Sequence, residues 1–178
     1  MTASFDKPAG LESVPDWAWA RLHPVAQESI ARGHAGGRLN SHLLPVADAR
    51  ARFDLEMTTL TAPEVGEVCD EYLEHDDDRI GIRRYVPDAT AQPESTAVIV
   101  YFHGGGWVIG SHVSDDPLCR DLCVQADTLI ISVNYRHAPE ARFPAAADDG
   151  FAALRWVAEN AASLGGDQIG RASCRERV

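Results

Sequence analysis

The stretch Ala97-Val98-Ile99-Val100-Tyr101-Phe102-His103-Gly104-Gly105-Gly106-Trp107 decides the fold. Its first six residues form a short, wholly apolar, β-branched run, the pattern of a strand buried on both faces of a parallel sheet. The run stops abruptly at a histidine and three glycines. Glycine has no Cβ, so the backbone there can turn sharply and present bare N–H groups to a ligand. Two such N–H groups aimed at one point stabilise an oxyanion.

Working outward, Thr128 to Val133 (Thr-Leu-Ile-Ile-Ser-Val) reads as a second buried strand. Val65–Glu74 and Arg79–Val86 read as two strands of a hairpin turned at Asp76-Asp77-Asp78, with Ile80 and Ile82 alternating with polar or small neighbours. Pro87 to Ser95 reads as a loop. Asp115 or Asp116 is expected to cap a helix with Pro117 at its first position, ending near Gln125. Pro144 opens a helix towards Ala162 whose apolar stripe is expected at Phe151, Leu154, Trp156 and Val157, with Gly165-Gly166 ending it. Before the sheet, residues 1–14 read as a disordered lead-in. Asp16 is expected to cap a helix running towards Arg32 with Pro24 interrupting, and Gly33, Gly36 and Gly37 make a break. Pro45 to Phe53 reads as a second helix with Val46, Ala49 and Phe53 on one face. Strands alternating with helices imply an α/β fold with a mostly parallel sheet.

Of 178 residues, 45% are hydrophobic, the composition of a globular chain. The net charge of −11 argues against nucleic acid or an anionic membrane surface as partner. No apolar run approaches the length of a membrane span, and no signal peptide is visible, so the expected compartment is the cytoplasm. The cysteines, Cys69, Cys119, Cys123 and Cys174, form no Cys-x-x-Cys pair, and no metal or cofactor is expected. Cys119 and Cys123, one helical turn apart, read as two small buried residues on one helix face.

His103-Gly104-Gly105-Gly106-Trp107 resembles the HGGG oxyanion motif of the lipase and esterase branch of the α/β-hydrolases. Tyr135-Arg136-His137-Ala138-Pro139-Glu140 followed by Phe143-Pro144-Ala145 is similar to the YRLAPE…FPA block of the hormone-sensitive-lipase-like, bacterial type IV esterases. Asp149 and Arg155-Trp156-Val157 match the family's pattern downstream of that block. The resemblance runs from about Arg79 to Asp167. It implies the N-terminal half of an α/β-hydrolase fold and a serine carboxylester hydrolase acting on small-molecule esters. Residues 1–60 are then a helical, cap-like segment or a packing arm, 61–169 a truncated core, and 170–178 a non-native or disordered tail.

By that resemblance the N–H groups of Gly105 and Gly106 point into an oxyanion hole, Gly104 shapes the turn, and His103 supports the loop by hydrogen bonds. His103 is not the catalytic base, because the triad order in this fold is Ser, Asp or Glu, then His. Trp107 either walls the substrate pocket or simply packs. Tyr135, Arg136, Pro139, Glu140 and Asp149 form a structural corner near the glycine loop. After Asp167 there is no Gly-x-Ser-x-Gly elbow, and Ser173 stands between Arg171 and Arg175 where an elbow needs glycines. The chain is therefore expected to be inactive, the alternative being a relative that binds ligands without catalysis. With no strand legible in 170–178, the strand Ala97–Phe102 is expected to be an open sheet edge through which the chain self-associates.

Overall fold

The structure, a computed structural model, describes residues 5–35, 43–75, 78–88 and 97–166, and the backbone of 171–174. It divides into two compact units, 1–44 and 45–178.

In the first unit, α1 (Asp16–Ala20) and α2 (Pro24–Ala35) are separate helices. Asp16 is the first helical residue and not the cap. Pro15 holds that place with no side-chain bond, and Asp16 instead pairs with Lys7. Buried Gln27 organises this unit: its amide donates to Trp19 O at 2.9 Å and accepts from Phe5 N at 3.3 Å. Trp19 Nε1 donates to Phe5 O at 2.8 Å, so the expected disordered lead-in is hydrogen-bonded from Phe5 onward. Helix α2 continues through Gly33, and the expected break at Gly36 and Gly37 lies outside the described residues.

The second unit begins with α3 (Val46–Thr58), which the sequence pattern groups instead with the N-terminal segment. Strands β1 (Glu67–His75) and β2 (Asp78–Val86) form the antiparallel hairpin, with Leu73 opposite Ile80. The turn residues Asp76 and Asp77, most of the loop before Ala97, and 167–170 lie outside the described residues. Next along the chain come β3 (Val98–Phe102), α4 (Asp116–Ala126), β4 (Leu129–Asn134), α5 (Ala145–Asn160) and β5 (Arg171–Cys174). The sheet order is β1-β2-β4-β3-β5. The β1/β2 and β2/β4 pairs are antiparallel and the β4/β3 and β3/β5 pairs parallel, so the sheet is mixed rather than mostly parallel.

Both faces of the central strands are covered, which explains their unbroken apolar runs. On one face Ile82, Val98, Val100, Ile131 and Val133 pack with Ala153 and Val157 of α5. On the other, Tyr85, Tyr101 and Ile130 pack with Cys119 and Cys123 of α4. Burial pushes these two thiols up to about 12 and about 11, the behaviour of structural rather than reactive cysteines.

Two local expectations change. Asp115 is the N-terminal flanking residue of α4 but makes no capping bond, because Tyr101 Oη donates to its Oδ2 at 2.6 Å and commits it to β3. The buried line of α5 is Asp149, Ala153 and Val157, with Trp156 partly buried beside them, while Phe151 and Leu154 stand exposed. The helix lies close to the sheet because Gly150 meets the ring of Phe102: a Cβ there would sit 3.5 Å from it.

The sheet edge is also not where the sequence puts it. Ile99–Phe102 pairs in parallel register with Arg171–Cys174, so β3 is an interior strand and β5 the edge. That segment carries no β-branched residue to announce a strand, and Ser173 lies within β5 opposite Tyr101. Among the described residues, no helix is long and apolar enough to cross a membrane.

Candidate functional site

The loop leaving β3 is shaped by backbone conformation. Gly105, Gly106 and Trp107 are three successive residues with positive φ, at +133°, +62° and +58°. Gly105 O accepts from Val108 N at 3.2 Å and Ile109 N at 3.1 Å, closing a tight turn. A Cβ on Gly105 would lie 1.9 Å from Ile109 O, and one on Gly110 would lie 2.5 Å from Gly104 O. No hydrogen bond ties the N–H of Gly105 or Gly106 to another described residue.

His103 lies beneath this turn, 1% exposed. Its Nδ1 donates to Gly104 O at 3.0 Å. Its ring stacks on Tyr135 with centroids 4.4 Å apart and planes 10° from parallel. Tyr135 Oη donates to His103 O at 2.6 Å, so the tyrosine holds both ring and backbone at the end of β3. His137, the variable member of the Tyr-Arg-x-Ala-Pro-Glu run, brings its Nε2 to 3.3 Å from His103 Nε2.

The expected corner is two separate clamps. In the first, Asp149 is wholly buried on α5 and accepts from Arg136 N at 2.8 Å, from Arg136 Nη2 at 2.6 Å and from Arg136 Nε at 3.0 Å. A buried carboxylate is stable only when so satisfied. In the second, Glu140 pairs not with Arg136 but with Arg50 of α3, through Nη1 at 2.9 Å and Nη2 at 2.7 Å. This hydrogen-bonded pairing holds the Glu140 carboxyl down at about 2. The Ala138–Pro139 bond is cis, and Ala138 N donates to Trp107 O at 2.9 Å, stitching the two loops together.

Arg50 is the functional residue that sequence reasoning missed. Besides Glu140, its Nε donates to Val108 O at 2.7 Å and its Nη2 to Ala138 O at 2.9 Å. One guanidinium therefore binds the exit of the glycine loop to the proline loop, using the planar fork that lysine lacks. One turn on, Asp54 accepts from Ser111 Oγ at 3.2 Å. The i, i+4 spacing of Arg50 and Asp54 is a weak sequence signal, and their partners lie far along the chain.

Beside the loop is an apolar hollow of about 350 Å³, lined by Phe102, Trp107, Tyr135, Ala146, Phe151 and Leu154 among others. Trp107 lies on its wall, about half exposed. A larger polar cavity of about 740 Å³ lies on the side of Arg50, His112, Asn134, Arg136, His137 and Glu140. No cluster of three or more potential metal ligands occurs among the described residues.

Comparison with known proteins fits this geometry. Residues 99–171 match a family described as having the alpha/beta hydrolase fold. The chain is 49% identical over 88 residues to the carboxylesterase NlhH of Mycobacterium tuberculosis, which covers 49% of this chain and 27% of that protein. It is 39% identical over 143 residues to the ethyl acetate hydrolase of Pseudomonas putida, covering 78% of this chain and 45% of that one. Among solved structures, the hyperthermophilic esterase from the archaeon Pyrobaculum calidifontis superposes with a TM-score of 0.75 at 31% identity, over 87% of this chain and 49% of that one. The chain thus spans between about a quarter and a half of the length of these relatives.

Proposed function

We propose that this chain, a member of the hormone-sensitive-lipase-like branch of the α/β-hydrolases, carries the oxyanion half of a serine carboxylester hydrolase. The observation that supports this most is the run of positive φ at Gly105, Gly106 and Trp107, together with glycine N–H groups that have no hydrogen-bond partner among the described residues. In ester hydrolysis the carbonyl oxygen becomes an oxyanion as the nucleophile adds. Donors fixed beforehand at that point lower the barrier, each by about 3–4 kcal/mol. Gly105 and Gly106 supply two donors, His103 and Tyr135 hold the loop from below, and Arg50 holds its exit. The apolar hollow at Phe102, Trp107 and Phe151 suits the hydrocarbon part of a small ester.

The nucleophile, acid and base are not among these residues. No serine of the chain has the Gly-x-Ser-x-Gly setting, and Ser173 is a strand residue rather than the apex of a strand-to-helix turn. The 178 residues by themselves therefore do not turn over esters. Among the described residues that line the hollow there is no serine or cysteine, which also favours a second reading, a ligand-binding relative with no catalysis.

Both readings are tested with one chimera. Residues 1–166 are joined to the C-terminal half of the Pseudomonas putida ethyl acetate hydrolase and assayed on a short-chain nitrophenyl ester. Turnover is expected in the chimera and none in the chain alone. Gly105→Ala in the chimera should lower kcat by about 10²–10³, because its Cβ would meet Ile109 O at 1.9 Å and displace the turn that carries the donors. Unchanged kcat would show that this loop is not the hole, and activity of the chain alone, abolished by Ser173→Ala, would overturn the assignment of the missing nucleophile.

A further inference from the structure

We infer that His137 is a positioning residue for the glycine loop: its Nε2–H donates to His103 Nε2 and thereby fixes the tautomer in which His103 clamps Gly104. The inference rests on the reading of that loop as an oxyanion hole, but its geometry stands apart from any turnover. His103 Nδ1 faces a carbonyl, Gly104 O, at 3.0 Å. A carbonyl only accepts, so the His103 proton is on Nδ1 and its Nε2 is left as an acceptor. The atom facing that acceptor at 3.3 Å is His137 Nε2, which must then be the donor. The rings meet edge to face, with centroids 5.1 Å apart, and Tyr135 meets His137 in the same way. The three rings form one cluster in which the His137 Nε2–H sets which nitrogen of His103 carries its proton.

A leucine at this position, as in the family's YRLAPE pattern, could not donate, so the device belongs to this chain's own residue. Its surroundings keep His137 neutral. Burial and the neighbouring charges of His103 and Arg50 push His137 down to about 4, against an opposing pull from Glu140. Below that pH His137 takes up a second proton on Nδ1, against the cost of burial and the nearby Arg50 guanidinium.

The test uses the full 178-residue chain with ¹⁵N-labelled histidine. Nitrogen shifts should show His103 protonated on Nδ1 and His137 on Nε2 at neutral pH. His137→Leu should mix the His103 tautomers and speed amide exchange at Val108, Ile109 and Ala138 about tenfold, the factor one net hydrogen bond represents. His137→Gln, whose amide can donate, should restore both. A leucine variant with the His103 tautomer and loop exchange of the unmodified chain would overturn the inference. Should that variant not fold, the unmodified chain decides the matter by titration. The His103 ring nitrogens should move as His137 titrates near pH 4, whereas a His137 that titrates near the free value with His103 unmoved refutes the pairing. Absence of turnover in the chimera would refute the oxyanion reading and leave these spectra unaffected.

Discussion

Gly105 and Gly106 are adjacent and both have positive φ, yet alanine should affect them very differently. At Gly105 the new Cβ would meet Ile109 O at 1.9 Å, Ile109 C at 2.6 Å and Ile109 Cγ1 at 3.1 Å. Two of these are backbone atoms of a turn closed by Val108 N and Ile109 N on Gly105 O, so relief requires breaking that turn. Overpacking costs about 1–3 kcal/mol, backbone strain at φ +133° about as much again, and a lost loop hydrogen bond about 1, for a total of about 3–7 kcal/mol. At Gly106 no atom lies within 4 Å and φ is +62°, leaving about 1 kcal/mol for the left-handed conformation alone. For a chain of this size each kcal/mol moves Tm by about 2–4 °C, so Gly106→Ala should lower it by about 2–4 °C and Gly105→Ala by about 6 °C or more. Scanning calorimetry and circular dichroism would measure both. Equal Tm losses would refute the description of the turn, since contact with Ile109 and the φ of +133° set Gly105 apart from Gly106.

Asp149→Ala should cost about 3 kcal/mol by urea unfolding, because it strips a buried acceptor from Arg136 N and the guanidinium. A change within about 0.5 kcal/mol would contradict the clamp. Arg50→Ala should let the Glu140 carboxyl rise from about 2 towards the ordinary carboxylate range, followed by ¹³C shifts against pH. His137 is held at about 4 from a free value of 6.5, so as pH falls the unfolded chain takes up its proton first. The His137 contribution is thus complete above about pH 6.5 and is lost towards pH 4. It is worth about 1–2 kcal/mol once the partly buried ring is discounted for solvent screening, and His137→Leu should flatten the urea midpoint over that range. Truncation after Gly166 removes β5 and should make the chain self-associate in sedimentation velocity, while a monomer with unchanged Tm would show that β5 adds nothing to β3.

The elements legible in the sequence are those whose pattern is local. Val98–Phe102 and Leu129–Asn134 announce themselves because helices cover both of their faces, so neither face needs a polar residue. The hairpin shows in the alternation of Ile80 and Ile82. The glycine loop shows because its conformations exclude side chains. The features that were not legible depend on distant partners. Arg50 and Glu140 lie on different elements, and nothing near either residue names the other. The buried line of α5 is misplaced by sequence because large apolar residues mark hydrophobicity, whereas close approach to Phe102 demands the small Gly150 and Ala153. Strand β5 is held by the backbone of β3 and not by its own propensity, so its residues give no strand signal.

The placement of β3 between β4 and β5 has a consequence during synthesis. One side of β3 is matched once Leu129–Asn134 has been made, but the other waits for Arg171–Cys174. At roughly 5–20 residues per second, the ribosome leaves that second side bare for about 2–8 s after β4 is complete. For those seconds the nascent chain offers Val-Ile-Val-Tyr-Phe as an unpaired template to any neighbouring nascent chain, so yield in the cell should depend on translation speed between Asn134 and Arg171 as well as on the stability of the finished sheet.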